Sequence, residues 1–151
     1  MSKELPRTYK SFTEWPEKSK QTEYTEKTPL LDAEGNHLAK GRARHNVFDY
    51  ERSFSKPNKR KKEWDFYQIS DGRYMVQISF ANISIGGYAA AKIVDLIEKK
   101  IIVDDTELFL GGDNKYILPS KGDTPNFFKA RVGNAVIKFD TKHNSRTLYF
   151  K

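Results

Sequence analysis

The sequence predicts a mainly β, antiparallel domain, either closed as a barrel or stacked as a sandwich. From Thr28 onward, short apolar runs alternate with turn-forming clusters: Glu34-Gly35-Asn36, Ser70-Asp71-Gly72, Gly111-Gly112-Asp113-Asn114, Lys121-Gly122-Asp123 and Asp140 to Ser145. The longest run also alternates at period two, placing Tyr74, Val76, Ile78 and Phe80 on one face of a strand. A chain of 151 residues has the size of one ordinary domain.

Residues 1–27 hold Pro6, Pro16, many charges and few aliphatics, and so read as an N-terminal arm leading into a β domain over residues 28–151. The strand that starts at Arg73 is expected to reach Ile85, but after Ala81 its large apolar residues move to the other parity at Ile83 and Ile85. A one-residue slip turns a strand inside out unless a bulge absorbs it, so a bulge is expected near Ala81 or Asn82. From Ala89 to Ile101, helix formers and the spacing of Ile93, Leu96, Ile97 and Ile101 favour a helix. The competing reading is a hairpin: Tyr88 to Asp95, a turn at Ile97 to Lys99, and Lys100 to Asp104 as the return. Ala135 to Asp140 and Arg146 to Phe150 bracket a polar link and predict a terminal hairpin.

Composition disfavours several functions. The chain has no cysteine, and its three histidines (His37, His45, His143) are scattered, so neither a disulfide scaffold nor a classical zinc cluster is expected. No phosphate loop, nucleophile elbow or dinucleotide fingerprint is present, and no cofactor is implied. The N-terminus has no secretory apolar core and no window is apolar enough to span a membrane, which points to the cytoplasm. A formal net charge of +7 favours encounters with polyanions without establishing one.

The segment PLLDAEGNHLAKGRARHNVFDYER, followed by KKEWDFYQIS, resembles the opening of the domain of unknown function 2804 family. The likeness rests on three boxes: LLDxxGxxxxxGxAR from Leu30, DYxR at Asp49, Tyr50 and Arg52, and KEWD-aromatic-Tyr from Lys62 to Tyr67. It implies a strand at Tyr88 to Asp95, and so selects the hairpin over the helix. More distantly, EWDFYQISDGRYMVQISF is similar in layout to the carotenoid-hydratase and AttH-like group of lipocalin-related proteins. That similarity implies a lipocalin-like sheet and apolar cargo or substrates.

Five cations, Lys56, Lys59, Arg60, Lys61 and Lys62, lie beside Pro57-Asn58 and so belong to a loop. They read as a solvated lead-in, with anionic lipid or a ligand headgroup next and nucleic acid last. Beyond them, period two puts Trp64, Phe66 and Gln68 on one face and Glu63, Asp65 and Tyr67 on the other. In the plain reading the acidic face points outward, neutralised by Arg44 or Arg60. In the functional reading Asp65 is a general acid with Tyr67 beside it, and the ligand-binding set is Asp49, Tyr50, Arg52, Trp64, Phe66 and Arg44. Binding of a small apolar or amphipathic molecule is the leading expectation. A hydratase or isomerase acting on such a molecule is the alternative.

Members of the resembled family run to roughly twice this length, so the chain is expected to be one half of a two-unit protein or a shortened relative. Its last residues, Arg146 to Lys151, read as a strand with no closing loop, which suggests self-association through the C-terminal strand edge.

Overall fold

The computed structural model describes residues 21–56, 60–111, 115–121 and 124–151. Outside them lie most of the expected N-terminal arm, Lys59 of the basic run, and the turn residues Gly112–Asn114 and Gly122–Asp123. The chain divides into two units, Met1–Asp49 and Tyr50–Lys151.

In the first unit, β1 (Thr22–Tyr24) pairs in parallel with β3 (Gly41–Ala43), and β2 (Thr28–Pro29) with β4 (Phe48–Asp49). The LLDxxG box makes a turn. Asp32 accepts the Asn36 N–H at 2.7 Å, and Gly35 takes a positive φ of 82° that an L side chain rarely adopts. Gly41 lies so close under Thr22 that a Cβ would sit 2.1 Å from its carbonyl oxygen. Arg44 and Arg42 both grip Glu23, at 2.7 and 3.1 Å, and the Arg44 bond above all holds that carboxyl below its ordinary range. The box thus has a local structural explanation.

The second unit contains two antiparallel sheets. β5 (Glu63–Ser70), β6 (Tyr74–Asn82), β7 (Gly86–Asp95) and β8 (Lys100–Leu110) form a meander of four; β9 (Asn126–Val132), β10 (Ala135–Lys142) and β11 (Ser145–Phe150) form a meander of three. Their facing sides hold the core. Phe80, Ala89 and Phe109 of the larger sheet and Phe128, Ala130, Val132, Ile137 and Phe139 of the smaller are all buried in one cluster with Leu118. Phe80 is at its centre, with ring centroids 4.7 Å from Phe128, 5.4 Å from Tyr116 and 5.7 Å from Phe109. No strand pair among the described residues joins β5 to β11, and no closed barrel forms.

The expected hairpin at 88–104 is present, and the helical spacing misleads. Asp95 ends β7, and its carboxylate accepts the N–H groups of Ile97 and Glu98, turning the chain where a helix would have continued. The expected bulge near Ala81 or Asn82 is absent. β6 pairs without a register shift to Asn82, and the parity change comes from a turn in which Ile83 N–H bonds to Gly86 O and Ser84 adopts φ 73°. A real irregularity lies at Ile93/Val94, where the partner register skips Ile102. The terminal hairpin forms with His143-Asn144 as its tip.

Candidate functional site

β5 positions the site. Its partners fix which face is internal: Asp65 is paired with Phe80 and Tyr67 with Ile78, so Glu63, Asp65 and Tyr67 point toward the core side. The plain reading of an outward acidic face is therefore reversed. Trp64 and Phe66 stand on the outer face, 62% and 51% exposed, away from Asp65 and Tyr67.

Asp65 and Tyr67 meet Arg146, which β11 brings from the other sheet. Arg146 pairs with Thr141, as Leu148 does with Phe139, so all four share the inner parity. Arg146 Nε donates to Thr141 Oγ1 at 3.1 Å, and its guanidinium lies over the Tyr67 ring, 5.0 Å from the centroid. Tyr67 also meets Phe139 edge-on, with ring centroids 4.9 Å apart. β5 and β11 are both edge strands, so this acid, phenol and guanidinium line the seam between two sheets.

Burial pushes the Asp65 carboxyl above its ordinary range, and Arg146 pulls it back only in part. Burial, and then the Asp65 charge, push the Tyr67 phenol up as well. The linkage has a definite sign. The folded state holds the Asp65 proton more tightly than the unfolded chain does, so this group's contribution to stability falls as pH rises through and above the ordinary aspartate range. Asp65→Asn is expected to melt above the parent protein at neutral pH and to converge with it in acid. Thermal melts of both proteins from acid to neutral pH check this; a gap independent of pH would show that ionisation of Asp65 is not its source.

A second cluster lies at the start of β5. Glu63 accepts from the Tyr50 hydroxyl at 2.9 Å and from Arg52 at 2.9 Å, and pairs with Lys61 at 3.5 Å. All three charged side chains are nearly buried, at 13–15% exposed. Arg52 Nε is shielded from solvent with no acceptor. Ser84 Oγ donates to Lys61 O at 2.6 Å, and the Arg52 N–H to Ser120 Oγ at 3.3 Å, tying three loops together. Lys61 is thus drawn inward, whereas Lys56, Arg60 and Lys62 of the lead-in are exposed.

The structure therefore unites Tyr50 with Arg52, and Asp65 with Tyr67. Asp49 ends β4 in the first unit, where its carbonyl accepts the Leu30 N–H at 2.9 Å, and Arg44 is held by Glu23 in that unit. Sequence reasoning missed Glu63 as the hub and Arg146 as the cation beside Asp65. The one available signal for Arg146 was its parity with Leu148 and Phe150, a cation on an apolar face.

The sequence profile of the domain of unknown function 2804 (DUF2804) matches residues 21–151. The chain belongs to the DUF2804 family. In this DUF2804 chain the DYxR and KEWD boxes converge at Glu63, through Tyr50 and Arg52. No curated protein and no solved structure matches the chain.

Proposed function

We propose that this DUF2804 chain binds a small apolar or amphipathic molecule along the seam between β5 and β11. The observation that carries the reading is Asp65: a carboxyl raised by burial, on the inner face of an edge strand, beside an aromatic pair and a guanidinium. A folded chain tolerates such a group more readily when it serves a ligand. The apolar part of the ligand would rest on the half-buried Tyr67 and Leu148, with its polar group between Asp65 and Arg146. The two open sheets would act as a lipocalin-like cradle.

A fatty-acid probe is expected to bind saturably at one site per chain and to be displaced by native lipid extract. Arg146→Ala should weaken this binding about tenfold or more by removing a charge-assisted contact. Binding that never saturates, or that is equal in the variant, would remove the seam as the site. Mass spectrometry of whatever co-purifies with the chain would name the ligand class directly.

The raised Asp65 carboxyl also favours a second reading, an enzyme of hydratase or isomerase type. There Asp65 donates a proton to an apolar double bond while Tyr67 faces the developing cation. Asp65→Asn should then abolish turnover and spare ligand binding; undiminished turnover would exclude Asp65 as the acid.

A further inference from the structure

We propose that the outer face of the four-stranded sheet, at the end where β6 turns into β7, docks onto an anionic lipid bilayer. Cross-strand register sets Trp64, Ala81, Tyr88 and Leu108 in one row, and Gly86 and Leu110 in the row at its end. Trp64 is 62% exposed, Leu108 73%, Leu110 85%, and Ile85 on the adjoining turn 63%. Ala81 is only 4% exposed, and the register sets the larger Trp64 and Tyr88 on either side of it. Three strand spacings make this band about 14 Å wide. It is a contiguous patch, unlike the single scattered apolar residues of ordinary surfaces.

At the two edges of this sheet, β5 and β8, the usual polarity is reversed near the β6–β7 turn. Glu63 and Asp65 on β5, and Asp105 and Glu107 on β8, share the parity of the core residues Phe80 and Ala89. The outward parity carries Trp64, Phe66, Tyr88, Leu108 and Leu110 toward this end, and Gln68, Gln77, Lys92 and Asp104 toward the other. On the outward side of β8 the one carboxylate is Asp104, two rows from Trp64 and already paired with Lys92 at 3.1 Å.

Charge selects the occupant. Lys62 has the parity of Trp64 and is exposed, and Lys56 and Arg60, just before it, are exposed too. Among the described residues, a second copy of the chain would bring the same cations and, on this face, only the already paired Asp104. An anionic bilayer supplies the negative charge, and tryptophan beside lysine suits the interface, where the indole sits at headgroup depth and lysine stems lie along apolar surface.

The test uses vesicles of phosphatidylcholine with and without phosphatidylserine. The full chain is expected to co-sediment with the phosphatidylserine vesicles, less as salt is raised, and to leave pure phosphatidylcholine vesicles unbound. In a Trp15→Phe background, Trp64 emission should shift to the blue on binding. Lys62→Ala should weaken partitioning about fivefold, and Trp64→Ala about tenfold or more. Circular dichroism should show both variants folded, since both side chains are exposed. No sedimentation at low salt, equal binding to neutral vesicles, unmoved Trp64 emission, or full binding by both variants would overturn the proposal. So would a lipid-free dimer that Trp64→Ala dissociates, because that assigns the face to a second copy. The fatty-acid probe and Arg146→Ala report on the seam separately, so either reading can fail alone.

Discussion

Phe80→Ala is expected to lower stability by about 3–5 kcal/mol, the range for deleting a buried aromatic ring without full collapse of its site. The ring is fully buried, and its neighbours come from both sheets: Phe109 from the larger, Phe128 from the smaller, and Tyr116 from the connection between them. Tyr116 is itself anchored, its hydroxyl donating to the Arg131 carbonyl, and Asn82 Nδ2 bonds to Tyr116 O at 3.1 Å. A residue held at both ends cannot move in to fill the void. A domain with about 5–15 kcal/mol in total would lose a large part of its margin. Phe127→Ala is the control, because Phe127 lies on the opposite parity of β9 and is 59% exposed. Urea unfolding of both variants should show Phe127→Ala within about 1 kcal/mol of the parent. Equal losses would mean the sheets do not meet at Phe80.

The same parity logic explains what was legible in the sequence. Alternation at Tyr74, Val76, Ile78 and Phe80 states the strand and its apolar face, and the glycine turns state its start, because both are local properties. Alternation in β5 is equally clear, but it gives two candidate faces, one aromatic and one acidic with a tyrosine. Only pairing with β6 decides between them, and a pattern rule that sends large aromatics inward chooses wrongly. The parity change after Ala81 was visible while its cause was not: a turn with a left-handed Ser84 and a bulge leave the same trace in one strand. The irregularity opposite Ile93/Val94 left a faint one, the unbroken run Ile101-Ile102-Val103. Arg146 reaches Tyr67 across nearly 80 positions of chain, and no local rule links them.

Glu63 should be the most sensitive polar position, because two cations depend on it. Glu63→Ala is expected to cost about 2–4 kcal/mol, somewhat below the cost of breaking a fully buried pair, since Arg52 and Lys61 keep slight exposure. The loss has two parts. The Tyr50 hydroxyl loses its acceptor, and two nearly buried cations are left facing each other. Glu63→Gln separates these parts by retaining an acceptor for Tyr50 while removing the charge, so it should fall between Glu63→Ala and the parent. Adding Lys61→Met to Glu63→Gln removes one of the two stranded cations and keeps the aliphatic stem, and should recover about 1 kcal/mol or more. Denaturant unfolding of the four proteins measures each step. A Glu63→Gln protein as stable as the parent would show that charge does not hold Arg52 and Lys61 in place. A double variant no more stable than Glu63→Gln would show that Lys61 is not stranded when the carboxylate is lost.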